Sequence, residues 1–293
     1  MVITVTVGIP TYNEETCIAR AIQSIQNQDY PIEEILIVAS GCEDCTVKIV
    51  KECARTDSRI RLIIEAERNG KASAINLINK YAKGDVIVQC DGDCFVTPDA
   101  VTNMVHYFKN HKVGAVSGRP VPVIPDGNLF SDWTHMSYNK MHDIRKKQDA
   151  AWEFWHLSGY LLAWRRFAFD EIPFVKGAVD AWMGKIIREN NYLIRYAEYA
   201  LVVVKAPTNI KDFVAQKARV RAGYYFLPKN DMPRTIKKEL FWLPKEFFKV
   251  PFWRWHKFIM SGLVYTYSWM KGKSMAKKNK SLEEIWKVPT STK

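Results

Sequence analysis

Two aspartates separated by a single glycine, Asp91-Gly92-Asp93, follow the apolar run Val86-Ile87-Val88. The glycine lets both carboxylates converge on one cation while the backbone passes close to a ligand. Carboxylates are protein ligands for Mg²⁺, and such an ion commonly bridges them to the phosphates of a substrate. An isolated Asp-Gly-Asp is more often a surface turn. Its place directly after a predicted central strand favours a metal site.

Two further segments suit a nucleotide ligand. Asn69-Gly70-Lys71 precedes a predicted helix, and a helix N-terminus reached through a glycine and a lysine suits phosphate oxygens. The alternative is a solvated lysine in a loop. In Pro10-Thr11-Tyr12-Asn13-Glu14, Tyr12 is placed to stack on a base and Glu14 to accept hydrogen bonds from ribose hydroxyls. The asparagine between them is a candidate helix cap.

Polar residues later in the chain are candidates for acid–base and anion-binding roles. Asp180 opens a predicted helix, so its carboxylate either caps that helix or faces a pocket and takes a proton from a hydroxyl. Gln216 and Arg219 are three residues apart on another predicted helix and share one face. That face either presents an amide and a guanidinium to a diphosphate or sugar, or is a solvated basic surface.

The elements that must position these residues alternate between strand and helix. The predicted strands are 2–9, 34–39, 60–65, 85–90 and 113–117, and the helices between them are 15–28, 46–55, 71–81 and 98–110, with Pro98 in the first turn of the last. Near-continuous Val/Ile runs separated by helices predict an α/β fold with a mostly parallel sheet covered on both faces. Ligands of such sheets bind at the C-terminal strand ends, where the loops 10–14, 40–44, 66–71 and 91–94 lie.

The pattern becomes less regular after the fifth strand. A polar, aromatic segment between residues 120 and 153 predicts a helix over the sheet. The elements expected after it are a strand at 160–164, a helix at 181–189 and strands at 192–197 and 200–205.

Charge separates the chain into a neutral part and a basic part. Residues 205–293 carry 20 Lys/Arg against 6 Asp/Glu, a balance of +14, whereas residues 1–204 carry 23 against 25. The basic excess therefore lies in the last third, as expected for a neutral catalytic body whose tail meets an anionic surface. The longest uncharged stretch of that tail, 258–270, is too short to predict a transmembrane span.

The six cysteines all precede residue 95. The N-terminal segment 2–7 has a strand pattern and no signal peptide is expected, so reduced thiols in the cytosol are predicted. A zinc site formed by Cys42-x-x-Cys45 with Cys90 and Cys94 is the alternative. Small buried thiols are the favoured interpretation.

The motifs together resemble the family-2 inverting glycosyltransferases of GT-A fold. The resemblance rests on Pro-Thr-Tyr-Asn-Glu at 10–14, Ser-Gly-Cys-Glu-Asp-Cys-Thr at 40–46, Asn-Gly-Lys at 69–71 and Asp-Gly-Asp at 91–93. Later segments are similar to motifs of the cellulose-, chitin- and hyaluronan-synthase branch: Ser158-Gly159, Arg165-Arg166, Asp180 and Gln216-Lys217-Ala218-Arg219. The resemblance spans about residues 3–223 and implies a Rossmann-like GT-A domain over 1–223, followed by a basic, aromatic helical tail over 224–293.

The resemblance also implies roles for individual residues. Asp93 would ligate Mg²⁺ or Mn²⁺, and Asp91 would serve both the metal and the nucleotide. Asp180 would be the catalytic base of a single in-line displacement, in which an acceptor hydroxyl attacks the anomeric carbon. The residues implied to line the nucleotide pocket are Pro10, Tyr12, Glu14, Ser40, Lys71 and Asp91. Those implied to hold the diphosphate or gate the acceptor are Gln216, Arg219 and Gly159.

The chain departs from the family in three places. Ala39 or Ser40 stands where members commonly have an aspartate that contacts uracil, so UDP and GDP donors both stay open. Val179 precedes Asp180 where an acidic residue is usual. Val220 stands where the last motif normally has tryptophan, and the transmembrane helices that flank the synthases are not expected. These differences argue against a processive polysaccharide synthase.

The C-terminal tail interleaves aromatic residues with Lys and Arg. Pro244 and Pro251 are predicted to divide it into short helices. Aromatic and basic residues without a membrane span predict helices that lie on an anionic membrane surface. Packing of the aromatics on the catalytic body and binding of nucleic acid are the alternatives. Because no nucleic-acid-binding module is recognisable, nucleic acid is not expected as a partner.

The expected protein is an inverting, metal-dependent glycosyltransferase with a UDP- or GDP-sugar donor and a lipid-linked or nascent-glycan acceptor. Its expected location is cytoplasmic, peripheral on the inner face of the cell membrane. Three alternatives stay open. They are a soluble glycosyltransferase for a protein or small-molecule acceptor, a nucleotidyltransferase with paired aspartates, and an inactive nucleotide-sugar-binding module.

Overall fold

The computed structural model describes residues 2–173, 177–227 and 246–278. In those residues the strands are β1 Val5–Thr11, β2 Glu34–Ser40, β3 Ile60–Glu65, β4 Val86–Cys90, β5 Phe95–Val96, β6 Val113–Val123, β7 Leu161–Arg165 and β8 Leu193–Lys205. They form one sheet in the order β3-β2-β1-β4-β7-β6-β8-β5.

Helices cover this sheet. They are α1 Ile18–Gln26, α2 Thr46–Thr56, α3 Gly70–Tyr81, α4 Ala100–Val105, α5 Ser131–Ala150, α6 Val179–Glu189, α7 Ile210–Tyr224 and α8 Trp255–Lys277. Short 3₁₀ turns cover His106–Lys109 and Phe252–Arg254.

The first half of the sheet is parallel and buried on both faces. β1 pairs in parallel with β2 and β4, and β2 pairs in parallel with β3. Every residue of β1, β2 and β4 is buried. Alternate residues of β2 belong to two separate apolar clusters. Ile35 and Ile37 lie in one cluster, and Leu36 and Val38 lie in the other. This arrangement explains the unbroken Val/Ile runs, since each face of a strand is covered.

The second half of the sheet is mixed. β7 runs antiparallel to both β4 and β6, whereas β6 and β8 are parallel. In the β4–β7 pair Cys90 lies opposite Leu161, and the Asp91 amide donates to the Tyr160 carbonyl at 3.3 Å. The β4–β7 pairing therefore places the segment before β7 beside the aspartates after β4.

Three details of the sequence prediction are wrong. The two strands expected at 192–197 and 200–205 are one strand, β8. α4 begins at Ala100, so Pro98 precedes the helix instead of lying in its first turn. Asn13 does not cap a helix; its Oδ1 accepts from the Glu43 amide at 2.8 Å, and α1 begins only at Ile18.

Part of the basic tail packs on the α/β domain. α8 is a single helix of 23 residues, longer than the short helices predicted around Pro251, and residues 233–245 lie outside the described ranges. It lies against α7 and α5, with Phe258 in a cluster that contains Phe130, Trp133 and Phe213. No helix in the described ranges is long and apolar enough to cross a membrane. The division at residue 223 stays a prediction.

Gly272 lets α8 approach α7 closely. A Cβ atom at this position would lie 2.6 Å from the Ala218 carbonyl oxygen and 2.8 Å from Arg221 Cβ. Since Ala218 presents backbone here, Gly272→Ala must push the two helices apart. We expect this substitution to lower the free energy of unfolding by about 1–3 kcal/mol, measured in urea. Ser274→Ala, at an exposed position on the same helix, is the control. Equal stability of the two variants would contradict the close packing.

Candidate functional site

The candidate site lies at the C-terminal ends of β1, β2 and β4, where the parallel sheet predicts it. Gly92 packs against the end of β1: a Cβ there would lie 2.9 Å from Thr11 Oγ1 and 3.4 Å from Glu14 Cγ. A side chain at this position would collide with β1. A glycine is thus required between the two aspartates, because the turn lies so close to the end of β1. The Glu14 side chain lies next to the same turn.

Lys71 is ion-paired with the first aspartate. Its Nζ donates to Asp91 Oδ1 at 2.5 Å and to the Gly159 carbonyl at 2.8 Å. Gln89 Nε2 donates to the same two oxygens, at 2.8 and 2.9 Å. Burial alone lowers the pKa of Lys71, but the charge of Asp91 and its hydrogen bond outweigh this, so the net shift is upward. The lysine is therefore held in the site as a cation.

The charge of Asp93 acts on the first aspartate of the triplet. Burial raises the pKa of Asp91 to about 6; the charge of Lys71 opposes the shift and that of Asp93 adds to it. Asp93 Oδ1 accepts a hydrogen bond from the buried Cys94 thiol at 3.2 Å. Two carboxylates this close together provide a favourable environment for a divalent cation.

The donor set at this turn fits a hard cation that is completed by a ligand. Mg²⁺ and similar ions are held by one or two carboxylates together with substrate phosphates and water. Asp91 and Asp93 supply those carboxylates, and no group of three or more His, Cys, Asp or Glu residues that could hold a metal occurs among the described residues. The alternative zinc site is not assembled there either: Cys90 and Cys94 are buried, Cys45 is exposed, and burial raises the pKa of both buried thiols well above the usual range.

Asp180 lies on the opposite side of Gly159. Its Oδ2 accepts from the Gly159 amide at 3.1 Å, and its Oδ1 from the Ala181 amide at 3.0 Å. The N-cap of α6 is Ala178, in the left-handed conformation with φ of 51°, so the capping interpretation of Asp180 is wrong. Burial raises the pKa of Asp180, and the charge of Lys71 opposes that shift. The carboxylate therefore faces the site.

Gly159 joins the two halves of the site. A Cβ built on it would lie 3.4 Å from Asp180 Oδ2 and 3.5 Å from Lys71 Nζ. Its amide binds Asp180 while its carbonyl binds Lys71, which in turn binds Asp91. A continuous chain of contacts thus connects Asp180, a carboxylate suited to accept a proton, with the candidate metal ligand Asp91.

α7 carries both the predicted amide and the predicted guanidinium, and it brings the guanidinium near the two aspartates. Gln216 is buried and Arg219 is partly buried, on the helix that Asn209 caps by accepting from the Asp212 amide. Burial lowers the pKa of Arg219, while the charges of Tyr160, Asp93 and Asp91 raise it. The guanidinium therefore lies within electrostatic reach of both aspartates, and a solvated basic helix does not describe this face.

The predicted nucleotide-binding residues lie around the ends of β1 and β2. The Arg68 guanidinium lies 4.0 Å from the centre of the Tyr12 ring, and Pro10 is buried within β1. Ser40 is buried as well; its Oγ accepts from the Asn69 amide at 3.2 Å and donates to the Glu67 carbonyl at 3.3 Å. Ser40 thereby holds the loop that leads to Lys71.

Several residues of the site were not predicted from sequence. Gln89 and Cys94 support the two aspartates, and Tyr160 is hydrogen-bonded to Tyr138 of α5. Gln89 and Cys94 flank the triplet, so their positions were a usable signal. The two tyrosines are 22 residues apart in the chain, and only the tertiary fold brings them together.

Comparison with known proteins gives a family match. Residues 6–173 match the model of glycosyl transferase family 2. The chain is 26% identical over 238 residues to a poly-beta-1,6-N-acetyl-D-glucosamine synthase of Staphylococcus epidermidis, covering 77% of this chain and 56% of that protein. It is 31% identical over 158 residues to the chondroitin synthase of Pasteurella multocida, covering 50% of this chain and 16% of that protein. The chain thus spans about half the length of the first of these relatives and less of the second.

Solved structures share the fold. The mannosyltransferase PcManGT from Pyrobaculum calidifontis, in complex with GDP-Man and Mn²⁺, superposes with a TM-score of 0.66 at 23% identity, covering 96% of this chain and 77% of that one. Residues 1–349 of S. aureus TarS, in complex with UDP-GlcNAc, superpose with a TM-score of 0.53 at 14% identity, covering 94% and 92%.

Proposed function

The chain belongs to glycosyl transferase family 2, and we propose that it transfers a sugar from a nucleoside-diphosphate donor to an acceptor hydroxyl with inversion. The predicted GT-A fold and glycosyltransferase class are confirmed, and the nucleotidyltransferase alternative does not agree with the family match. The observation that carries the proposal is the contact chain from Asp91 through Lys71 and Gly159 to Asp180. It joins a candidate metal site to a candidate base.

The diphosphate end of the donor would lie at the Asp91-Gly92-Asp93 turn. The two carboxylates would hold Mg²⁺ or Mn²⁺, which when bound neutralises charge on the departing diphosphate. Lys71 and Arg219 add two cations near these carboxylates, and Gln216 adds an amide on the same face of α7. These groups would hold the diphosphate while the bond to the sugar breaks.

Asp180 would act as the base. Its carboxylate is held in place by the Gly159 and Ala181 amides, which fixes its direction toward the site. It would take the proton of the acceptor hydroxyl as the oxygen attacks the anomeric carbon. The hydroxyl would attack the face of that carbon opposite the departing diphosphate. Because this is a single displacement with no covalent intermediate, the configuration at that carbon would invert.

The nucleotide end of the donor would bind beside Tyr12, Glu14 and Ser40. The stacked pair of Tyr12 and Arg68 offers a planar surface to a base. The similar solved proteins hold GDP-Man in one case and UDP-GlcNAc in another, so both donor types need testing.

A panel of UDP- and GDP-sugars tests the proposed function. Each donor is incubated with the full chain and Mg²⁺ or Mn²⁺, and nucleoside diphosphate release is measured with and without a lipid extract. We expect metal-dependent release from at least one donor, increased by the extract. Donor binding without release under every condition would favour the inactive binding module.

We further propose that α8 docks on an anionic membrane surface and brings the site to a lipid-linked or nascent-glycan acceptor. Its outer face exposes Ile259, Leu263, Tyr267 and Met270, and Phe248, Phe252 and Trp253 are exposed just before it. Lysines accompany these residues at 249, 257, 271, 273, 277 and 278. Apolar and basic residues on one surface are typical of helices at the membrane interface. This arrangement would place the protein at the cytoplasmic face of the membrane.

Binding to vesicles tests this docking. We expect Phe252→Ser together with Trp253→Ser to weaken binding to vesicles containing anionic lipid by about tenfold or more, because two apolar side chains lose their burial. Phe167→Ser is the control, since Phe167 is 77% exposed but lies outside this surface. Flotation with vesicles measures the bound fraction. Unchanged binding of the double variant would favour a soluble glycosyltransferase with a protein or small-molecule acceptor.

A further inference from the structure

α5 carries a guanidinium that is buried without full pairing. Arg145 is only 8% exposed, and its Nε and Nη1 have no hydrogen-bond partner among the described residues. Two other cations of this helix differ: Lys140 is ion-paired with Glu246 and Lys146 with Glu198. Arg145 is hydrogen-bonded to Tyr196, so it is a buried charge that is only partly paired within the described part of the chain.

The inner face of α5 connects this guanidinium with the candidate site. Tyr138, His142 and Arg145 are spaced four and three residues apart, so they lie on one side of the helix. At one end Tyr138 is hydrogen-bonded to Tyr160 and lies within electrostatic reach of Asp93. In the middle His142 Nδ1 lies 3.0 Å from the Tyr196 hydroxyl.

The charge of Arg145 also reaches the candidate base. It is among the groups that lower the pKa of Asp180 against the larger upward effect of burial. Both carboxylate oxygens of Asp180 are already bound by amides, and Arg145 forms no hydrogen bond with them. The guanidinium is therefore near the base without being its direct partner.

A second guanidinium, that of Arg119 in β6, lies within electrostatic reach of Tyr196 and His142. Burial raises the pKa of Tyr196 to about 12, and the charges of Arg145 and Arg119 both oppose the shift. Burial, and after it the charge of Arg119, lowers the pKa of His142. Two arginines thus act on one buried tyrosine beside the site, with a histidine whose neutral form is favoured.

Burial of a partly unpaired arginine is costly unless a ligand completes it. Removing an unpaired ion from water costs several kcal/mol, and a guanidinium cannot escape the cost by losing its proton. Its donors match the geometry of a carboxylate or a phosphate and bind either of them through two hydrogen bonds. An oxyanion is therefore the chemical group that would complete the hydrogen bonding of the Arg145 guanidinium.

We propose that Arg145, together with Arg119, binds an oxyanion of the acceptor, a phosphate or a carboxylate, and so directs the acceptor hydroxyl toward Asp180. The inference rests on the proposed function, because it assigns the acceptor side of the same site. It makes Arg145 a specificity-determining residue for anionic acceptors, separate from the groups around Asp93 that serve the donor.

The test uses the full chain with a donor that it hydrolyses. N-acetylglucosamine linked to farnesyl diphosphate and a glucuronate-terminated oligosaccharide are the anionic acceptors, since each carries sugar hydroxyls beside its oxyanion. Farnesyl N-acetylglucosaminide and the methyl ester of the oligosaccharide are their neutral counterparts. We expect Arg145→Gln to raise the KM of the anionic acceptor by about 100-fold and to leave donor KM unchanged. Lys146→Gln is the control, since its side chain on the same helix is 58% exposed. The acceptor that responds identifies the source of the oxyanion.

Unfolding in urea separates this role from a structural one. Arg145→Met removes a buried charge, so we expect it to be at least as stable as the wild type while it loses the preference for anionic acceptors. The inference is overturned if Arg145→Gln keeps the wild-type KM, or if the wild type prefers neither anionic acceptor. It is also overturned if Arg145→Met unfolds at a lower urea concentration than the wild type and no longer binds the donor. Absence of hydrolysis of any donor by the wild type would instead contradict the proposed function.

Discussion

Replacing Asp180 by asparagine is expected to reduce turnover by about 10³-fold, because the amide cannot accept the proton of the acceptor hydroxyl. An asparagine oxygen still accepts the hydrogen bond that the Gly159 amide donates, whereas the bond from the Ala181 amide is lost because an NH2 group cannot accept it. Donor affinity in the presence of metal should stay at the wild-type value. The measurement is a pair of experiments on one preparation, calorimetric titration of the donor and the steady-state rate of sugar transfer.

The matched control for this variant is Asp170→Asn. Asp170 is exposed and lies outside the contact chain between Asp91 and Asp180, so its replacement should leave both donor affinity and rate unchanged. Full turnover by Asp180→Asn would eliminate Asp180 as the base. Loss of donor binding by the same variant would assign it to the donor side of the site.

Replacing Asp93 by asparagine is expected to reduce metal-dependent donor binding and turnover by about 10³-fold, because the cation loses a carboxylate ligand next to the diphosphate. The Cys94 thiol that donates to Asp93 would also lose a charged acceptor. Binding of Mn²⁺ alone, followed by electron paramagnetic resonance, gives a readout that does not depend on catalysis. It should weaken in the same variant.

Asp143→Asn provides the control for the metal experiment, since Asp143 is an exposed aspartate on α5. It should bind Mn²⁺ and the donor like the wild type. A wild-type rate that is unaffected by chelation of divalent ions, together with an active Asp93→Asn variant, would show that the triplet is not a metal site.

The parallel half of the fold and its loops could be predicted because the sequence signals there are local. Val/Ile runs mark β1, β2 and β4, and a parallel sheet places the loops after them at one edge. Lys71 follows from the same logic, since α3 begins beside that edge. The pairing of Lys71 with Asp91 could not be predicted, because a helix N-terminus with a free lysine and one with a paired lysine have the same sequence pattern.

The position of Asp180 depends on long-range pairing. It reaches the triplet only because β7 runs antiparallel beside β4 and carries Gly159 between the two carboxylates. Nothing in the residues around Asp180 distinguishes this arrangement from a helix cap. Ser40 also depends on long-range contacts. It was predicted to contact the nucleotide, and its hydroxyl binds the loop that contains Glu67 and Asn69.

The C-terminal helix shows why membrane docking and packing could not be separated by composition. The buried face of α8 combines Phe258 with the small residues Ser261, Ser268 and Gly272, whereas apolar Leu263 and Met270 are exposed. A helix that packs on a soluble domain usually buries such apolar residues instead. The helix therefore combines close packing on α7 with an apolar outer surface, so the two interpretations are compatible.

The central claim is that the Asp91-Gly92-Asp93 turn and Asp180 form one site that performs a single displacement. The most direct test is proton NMR of the first product formed from the donor that the panel identifies, recorded before the anomers equilibrate. We predict that the anomeric configuration of the transferred sugar is opposite to that in the donor. A product with retained configuration would require a second displacement, and would contradict the assignment of Asp180 as the sole base.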